Sequence, residues 1–578
     1  MVNSKTYQDG KDQYVNEESG TFGIFNEIQS RYAKVDPTSY LRRSTESGYH
    51  YWGRRLGSLK PVELLVAEYD KAELKKYLTW WQLIFIGIGT IIGTGIFVLS
   101  GQAAAQNAGP AVTVSFIIAA FASMFAALSY SEMASMIPVS GSAYTYAYAT
   151  LGEFVGWTIG WDLILEHMVG GATVGVGWSG YFKKFFALFD IHFADSWTEP
   201  TVVWDENPAR IYYTEGHYFN VPGFVVIMMV TILVCIGIRQ ASWVISIIVV
   251  IKLIVVLLFI FALCGFVDRA NYTPYVPPNT TGDWHFFGGP GIFAAASTVF
   301  FAYIGFDSIT TAALEAKNPR RDLPIGIIGS LVITTILYIG FCTVMTGAAH
   351  YSELNTPTPV VTAIEAVELR TEHSWLWLKV IVIFGALAGL SSVLVVSILS
   401  QTRVFYSMAK DGLVPSFFAK VHPRFKTPYR STIFVGTIMA IMSAILPVDL
   451  LGNMTSVGTL LAFFIVHCGV IVLRFTRPDV ERWFKIPGGK HLFIVFPIIG
   501  MVVSILLIAV SEVTTIWRLF VWMAVGWIIY FSYGIRNSKL HRDPVGRFAE
   551  VQADISSTST TNENTYTTRE EYNYNEHK

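Results

Sequence analysis

The sequence has little charge and few cysteines. Only 14% of its 578 residues are Asp, Glu, Lys or Arg, while 52% are hydrophobic, which excludes an ordinary soluble protein. All four cysteines lie in or at the end of apolar runs, which argues against a disulfide framework. The chain also lacks a glycine-rich nucleotide loop, a metal-ligand cluster and a nucleophile constellation, so neither an enzyme nor a bound cofactor or metal is expected. The net charge of -1 says nothing about partners, and no nucleic-acid partner is expected.

Long apolar runs fill most of the chain instead. Windows of about 20 uncharged residues recur, and each is long enough to cross a lipid bilayer as a helix. Glycine, proline and charged residues divide these runs into twelve predicted spans, which indicates an all-α polytopic membrane protein. The spans lie near residues 82–101, 111–130, 151–182, 221–238, 243–267, 290–313, 324–348, 376–402, 432–447, 453–473, 491–511 and 516–534.

Lysines and arginines are concentrated in the loops after spans 6, 8 and 10. Because positively charged loops stay in the cytoplasm, both termini are predicted to be cytoplasmic. The loop after span 5 then faces outward, and its sequons at Asn271 and Asn279 are candidate N-glycosylation sites. We expect the plasma membrane as the location, with a vacuolar or lysosomal membrane as the alternative.

Span 1 is interrupted by glycines, as its central sequence IGIGTIIGTGIF (86–97) shows. Each glycine costs a helix interior about 1 kcal/mol relative to alanine. Backbone amides freed from a helix are tolerated in a bilayer only where protein or a wet cavity satisfies them. The span is therefore predicted to unwind at a binding site, and close packing of helices through small residues is the alternative.

Span 6 has a matching interruption in STVFFAYIGFD (297–307). Two interrupted spans at corresponding positions indicate a transporter site at the interface of two repeats. With five spans in each copy, the second copy is inverted in the membrane, and spans 11 and 12 stand outside the repeat. The predicted domains are a cytoplasmic arm (1–78), the repeat core (79–480), the last two helices (481–536) and a disordered cytoplasmic tail available to regulatory partners (537–578).

An opened helix offers partial charges for a ligand. The N–H groups that begin its second half suit a carboxylate, and the carbonyls that end its first half suit an ammonium. Two such helices can hold an α-amino acid without any charged side chain. The predicted carboxylate site is the amides of Gly93, Thr94 and Gly95. The predicted ammonium site and walls are formed by Ile92, Phe301, Ala302, Tyr303 and Ile304, of which Phe301 and Tyr303 either close the site or pack in the core.

Lys252 lies within span 5, about nine residues from its edge, which is roughly 13 Å at 1.5 Å per residue. A lysine at that depth is costly unless it is paired or neutral. We predict that Lys252 couples transport to protons, its proton or charge replacing a bound cation. A snorkelled or structural lysine is the alternative.

Span 3 carries acidic residues in WDLILEH (161–167). Asp162 and Glu166 are four residues apart and share one helical face, which must point into the bundle or into water. Glu166, near the middle of the span, is predicted to carry a proton or to pair with a charge. Asp162 as a brace between helices, and His167 as a satisfied interior residue, are the plainer interpretations.

Short motifs follow one another in a specific order between about residues 78 and 480. They include GQ (101–102), AGP (108–110), SYSE (129–132), PVSGSAY (138–144), WDLILE (161–166), FFAYIGFD (300–307), EAKNP (315–319), TRVFYSM (402–408), HPRFKTP (422–428) and SVGTL (456–460). Through this ordered set the chain resembles the amino acid-polyamine-organocation superfamily. It is most similar there to the cationic amino acid transporter family and its bacterial proton-coupled homologues.

The resemblance implies a five-plus-five inverted-repeat, LeuT-like core with discontinuous helices 1 and 6, between which the amino acid is held. It also implies that Lys252 matches the span-5 lysine of the bacterial members, where animal cationic transporters carry an uncharged residue. That match favours proton symport over passive exchange. Leu314 stands where relatives carry the first glutamate of a Glu–Glu pair, which implies a different inner gate.

The predicted function is secondary active import of L-amino acids by proton symport and alternating access. An amino acid exchanger or facilitator, and a receptor of the same fold that binds without transport, are the alternatives. The sequence leaves the preference between cationic and small neutral side chains open.

Overall fold

A computed structural model of the chain describes residues 53, 55–61, 65 and 78–542, except 138–140, 207–208, 214–215, 237, 281, 424, 426, 479–481 and 490–493. The chain divides into two compact units, one formed by residues 74–537 and the other by 1–73 with 538–578. The predicted arm and tail fall almost entirely outside the described residues. The predicted domain limits therefore stay predictions.

The larger unit is a bundle of helices. Prolines 319 and 359 begin two of them, because a proline's fixed φ suits a first turn and its missing N–H would be unpaired there. In chain order the helices are α1 (Trp80–Ile91), α2 (Val112–Met136), α3 (Ser142–Thr150), α4 (Glu153–Ile164, continued through Leu165–Val169 and Gly170–Ala187), α5 (Val221–Ile236), α6 (Ile238–Leu263), α7 (Gly288–Val299), α8 (Pro319–Ala348), α9 (Pro359–Thr371), α10 (Leu376–Lys410), α11 (Tyr429–Ile445), α12 (Val448–Thr476), α13 (Val495–Val510) and α14 (Val513–Ile529, continued through Tyr530–Gly534).

Among the described residues, seven helical stretches are long and apolar enough to cross a membrane, and four shorter apolar helices accompany them. Each of the twelve predicted runs overlaps one of the observed helices. The predicted helical, polytopic membrane architecture is confirmed in this coarser form, with a short β-hairpin added to the helices. The count of twelve spans and the inverted repeat stay predictions.

Two elements outside the long helices were not predicted. Strands β1 (Val202–Glu206) and β2 (Ala209–Tyr213) form an antiparallel hairpin between α4 and α5. The amphipathic helix α9 lies between α8 and α10, and Glu365 in it accepts a 2.8 Å salt bridge from Lys184 at the end of α4. Such elements are too short to carry a long apolar run, so the apolar pattern of the sequence does not reveal them.

A buried ion cluster ties α2 to α12 and the segment that follows it. The fully buried carboxylate of Glu132 receives two hydrogen bonds of 2.5 Å from the guanidinium of Arg474. Arg482 lies 3.3 Å from the same carboxylate, and the backbone N–H of Ile486 donates to it at 2.9 Å. Because several donors share the carboxylate, its desolvation is compensated, and losing one arginine would leave a poorly paired buried charge.

The cysteines and sequons bear on surface chemistry. All four cysteines are free, as the sequence predicted. Asn279 is exposed, whereas Asn271 is half-buried and its side-chain amide donates to the Gly347 carbonyl at 2.8 Å. Glycosylation stays a prediction, and Asn279 is the more accessible acceptor.

Candidate functional site

The helix of predicted span 1, called helix 1 here, begins with α1 and is interrupted where its glycines are densest. Helix α1 ends at Ile91, Ile92 adopts an extended conformation (φ −74°, ψ 102°), and a helical stretch resumes at Gly95–Leu99. No hydrogen bond of the described residues uses the amides of Gly93, Thr94 or Gly95. Unpaired amides at a helix start are the groups that bind carboxylates.

The helix of predicted span 6, called helix 6 here, begins with α7 and is interrupted at the matching position. Helix α7 ends at Val299, a 3-10 turn follows over Phe300–Tyr303, and Ile304 is extended before the chain becomes helical again at Ser308–Thr311. Gly305 has φ +114°, a conformation that side chains with a Cβ rarely adopt. The sequence therefore predicted both interruptions correctly.

The two interruptions cross in direct contact. A Cβ atom on Gly95 would lie 2.3 Å from the Cα of Ala302, so only glycine permits this approach. The hydroxyl of Thr90, near the end of α1, donates to the Gly305 carbonyl at 2.9 Å. Backbone groups freed from both helices thus line one small region of the bundle.

Tyr338 of α8 holds the carbonyl ends of the two interruptions together. Its buried hydroxyl lies 2.8 Å from the Ile91 carbonyl and 3.0 Å from the Ala302 carbonyl and shares its hydrogen between them. Tyr338 was not predicted as a site residue, because a single tyrosine within an apolar helix carries no distinguishing signal. The contact satisfies carbonyls that would otherwise lie unpaired in a dry interior.

We expect Tyr338→Phe to destabilise the protein, because two buried carbonyls lose a shared donor. A buried polar group left unpaired costs about 1–3 kcal/mol. Thermal unfolding of the purified protein measures the loss as a lowered midpoint. Tyr275→Phe is the matched control, because the exposed Tyr275 hydroxyl has no hydrogen-bond partner among the described residues. Equal midpoints for the two variants would contradict the bridging role of Tyr338.

A narrow cavity of about 40 Å³ lies at the crossing. Six of the predicted site residues line it, namely Gly93, Thr94, Gly95, Phe301, Ile304 and Glu166. Ten further residues complete the lining, namely Thr90, Ile91, His167, Gly170, Val174, Gly305, Ser308, Val393, Val396 and Ser397. The valines and Ser397 of α10 were missed, because helix periodicity does not tell which face of a helix meets a cavity formed by others.

Four predicted residues lie outside this cavity. The Ile92 carbonyl accepts a hydrogen bond from Lys252, and Ala302 packs against Gly95. Tyr303 packs against the rings of Phe116 and Tyr338 and donates its hydroxyl to the Phe116 carbonyl at 3.1 Å. Tyr303 therefore takes the core position that sequence analysis gave as its alternative.

Lys252 is fully buried in α6 and reaches the interruption in helix 1. Its ammonium donates to the Gly89 carbonyl, to the Ile92 carbonyl at 3.0 Å and to the Ser392 hydroxyl at 3.1 Å. A protonated lysine has three donors, and three acceptors meet them here. Since the side chain has no exposed surface, snorkelling is excluded.

Glu166 belongs to a buried acidic cluster beside the cavity. Ligating atoms of Glu166, His167 and Asp307 lie within 4.8 Å of one another, a spacing that a cation could occupy. Both carboxyl oxygens of Glu166 and one of Asp307 have no hydrogen-bond partner among the described residues, while Ser142 donates to the other Asp307 oxygen at 3.3 Å. Buried carboxylates this close repel each other, so a proton or a cation at the cluster would stabilise it.

A salt bridge links Arg403 to Glu315, and neither residue lines the cavity. Arg403 of α10 lies 3.0 Å from the Glu315 carboxylate and also donates to the carbonyl of Thr311 at 3.2 Å. This bridge joins α10 to the segment that follows the interruption in helix 6.

The chain is similar in sequence to known permeases and transporters. A family profile described as amino acid permease matches residues 78–531. Branched-chain amino acid permease BcaP of Bacillus subtilis is 42% identical over 483 residues, which cover 83% of this chain and 97% of that protein. The methylthioribose transporter of the same organism is 37% identical, with 84% and 98% covered. Vacuolar cationic amino acid transporter 4 of Arabidopsis thaliana is 38% identical, with 70% and 64% covered.

The matched region contains every helix from α1 to α13, and with them both interruptions and the cavity between them. The relatives are permeases and transporters, so the expectation that the chain is no enzyme is confirmed. The resemblance to cationic amino acid transporters and their bacterial homologues is confirmed as well. The chain is an integral membrane protein that belongs to the amino acid permease family of the amino acid-polyamine-organocation superfamily.

Proposed function

We propose that this permease imports L-amino acids with small or branched apolar side chains, by proton symport and alternating access. The observation that carries the proposal is the set of three unpaired amides, Gly93, Thr94 and Gly95, at the crossing of two interrupted helices. The plasma membrane is its proposed location, and both termini face the cytoplasm.

The carboxylate of the substrate binds these amides, which carry the partial positive charge of a helix start. The ammonium binds carbonyls at the opposite ends of the interruptions. The Ile92 and Ala302 carbonyls each accept one hydrogen bond from a side chain already. A carbonyl oxygen has two lone pairs and can accept a second donor, so both stay available to the ammonium.

The cavity wall favours an apolar side chain. Val174 of α4 and Val393 and Val396 of α10 contribute methyl groups opposite the two interruptions. A volume of about 40 Å³ is far below the roughly 300–1,000 Å³ of most small-molecule sites, so the cavity must widen for any amino acid. The similarity to a branched-chain amino acid permease supports the same preference.

Lys252 couples the cycle to protons through the shape of helix 1. Its protonated amine fills all three acceptors at Gly89, Ile92 and Ser392. A neutral amine has only two donors, so losing the proton leaves one acceptor unpaired and destabilises this arrangement. Proton uptake therefore favours the form of helix 1 that presents the binding amides. Symport needs this dependence, because the proton must promote substrate binding.

Glu166 contributes a second proton-dependent step. While the cavity is closed, Glu166 carries a proton, since a second buried negative charge beside Asp307 is unfavourable. Opening the cavity to water allows Glu166 to ionise. Closure around the substrate therefore becomes harder as the pH rises.

We expect Glu166→Gln to weaken the pH dependence of apparent substrate affinity. Glutamine imitates the protonated carboxyl, so the variant at about pH 8 keeps most of the affinity that the wild type shows at about pH 5.5. Uptake kinetics across this range measure the effect. Glu353→Gln is the control, because it removes an exposed carboxylate that does not line the cavity. A pH profile identical to that of the wild type would refute a proton-carrying role for Glu166.

Uptake by purified protein in liposomes tests the proposed function. With an inwardly directed proton gradient, labelled leucine should accumulate above its external concentration, and an uncoupler should prevent this. Leucine movement that is equally fast without any gradient would assign an exchanger or facilitator. Saturable binding with no movement would assign a receptor. Accumulation of arginine but not of leucine would contradict the proposed side-chain preference.

A further inference from the structure

A second, larger cavity lies away from the crossing of the two helices. It has a volume of about 230 Å³ and is bordered by the loop before α7, the start of α12 and the junction of α13 and α14. We call it the loop cavity. Leu99 and Gln102 contribute from the part of helix 1 that follows its interruption, and Ser297 and Thr298 contribute from α7, which precedes the interruption of helix 6.

The loop cavity is lined by acidic side chains. Asp283, Asp449 and Glu512 line it from three different elements. The backbone N–H of His285 donates to Asp283 at 3.0 Å and holds the pKa of that carboxyl below its usual range, so this group is ionised. His285 also lies against Asp283, and Arg518 interacts electrostatically with Glu512. Three carboxyl groups against one arginine make the surroundings of the cavity predominantly acidic.

Two buried polar side chains in the lining have unpaired oxygen atoms. Gln102 is 8% exposed and Thr515 is 1% exposed, and neither the Gln102 side-chain carbonyl nor the Thr515 hydroxyl has a hydrogen-bond partner in the described part of the chain. Buried polar groups are almost always hydrogen-bonded, so each of these oxygens calls for a ligand or water. Oxygen acceptors together with carboxylates select a donor-rich, positively charged ligand.

The size and spacing of these groups favour an organic cation over a metal ion. Among the described residues, a group of at least three potential ligands within 4.8 Å of one another occurs at Glu166, His167 and Asp307, and the loop cavity has no such group. The space is also several times the roughly 30 Å³ that one water molecule occupies. A ligand with its charge on an amino group and a chain of several atoms spans the separated carboxylates.

We propose that the loop cavity binds a small organic cation carrying an ammonium group, held by Asp449 and Glu512 and by the side-chain oxygens of Gln102 and Thr515. Such a ligand joins the outer parts of helix 1 and helix 6 to α12 and α14. This site is separate from the crossing of the interrupted helices and does not depend on what that crossing binds.

Calorimetric titration of the full-length protein in lipid nanodiscs with 1,5-diaminopentane tests the proposal. This probe has two ammonium groups and lacks the carboxylate that the crossing would need. We expect saturable binding that weakens more than about tenfold in the double variant Asp449→Asn, Glu512→Gln. Glu353→Gln, which removes an exposed carboxylate outside the cavity lining, should bind as the wild type does. The charge-preserving variant Asp449→Glu should keep binding.

Competition with free lysine, which has the same ammonium-terminated chain as the probe, distinguishes two possible ligands. Displacement of the probe by lysine would point to a cationic amino acid, and binding of the probe without displacement would point to a free diamine. Either result supports the site. The proposal is overturned if the wild type shows no saturable binding, or if a double variant with an unchanged unfolding midpoint binds the probe as tightly as the wild type. Failure of leucine transport leaves this result unaffected.

Discussion

Gly95→Ala is expected to lower leucine uptake by about 100-fold. An added Cβ would lie 2.3 Å from the Cα of Ala302 and 2.7 Å from its backbone nitrogen, and neither atom can move as a flexible side chain would. The two interrupted helices must separate by about 1 Å, and a misplacement of that size costs about two orders of magnitude in a positioned site. Initial rates of uptake in liposomes measure the effect.

Two further glycine variants make the result specific. Gly289→Ala, in the first turn of α7, meets nothing within 4 Å and should transport as the wild type does. Gly93→Ala meets only a methyl group of Val393 at 3.0 Å, which can turn away, so we expect an intermediate loss. Wild-type uptake by Gly95→Ala would show that the close crossing of the helices is not needed for transport.

Lys252→Met is expected to abolish accumulation while leaving exchange measurable. A pH difference of about one unit supports roughly tenfold accumulation with one proton per substrate, and the variant should reach an accumulation ratio of about 1. Methionine keeps an apolar chain of similar length but removes all three donors to Gly89, Ile92 and Ser392. Substrate would still cross by counterflow, because the amides at the crossing remain.

Lys379→Met controls for the loss of a lysine. Lys379 pairs with Glu368 at 2.6 Å, and neither residue lines the narrow cavity at the crossing of the interrupted helices. This variant should therefore accumulate leucine normally. Lys252→Arg keeps a charge that does not dissociate in the usual pH range, and it should bind leucine without concentrating it. Undiminished proton-driven accumulation by Lys252→Met would remove Lys252 from the coupling mechanism.

The sequence predicted those features that violate a rule of membrane helices. Glycines crowded around Gly93 and Gly305 indicated interruptions, and both are present. Lys252 within an apolar run indicated a buried charge with specific partners, and it reaches three acceptors. These predictions succeeded because glycine and charge are costly in lipid, so their presence requires a local reason.

Long-range pairings could not be predicted from the sequence. Tyr338 meets the Ile91 and Ala302 carbonyls from a helix whose sequence is ordinary for a membrane span. The proximity of Glu166 to Asp307 depends on how α4 packs against the segment after α7. The sequence left open whether Tyr303 closes the site or packs in the core, and its ring packs against Phe116. Position along the chain gives no information about which face of a helix a neighbour covers.

A structure determined with bound leucine tests the proposed binding mode most directly. We expect the substrate carboxylate within about 3.2 Å of the amides of Gly93, Thr94 and Gly95, with the ammonium on carbonyls of the two interruptions and the side chain against Val393. Leucine bound elsewhere, or bound at the crossing with its carboxylate on a charged side chain, would contradict recognition by the opened helices.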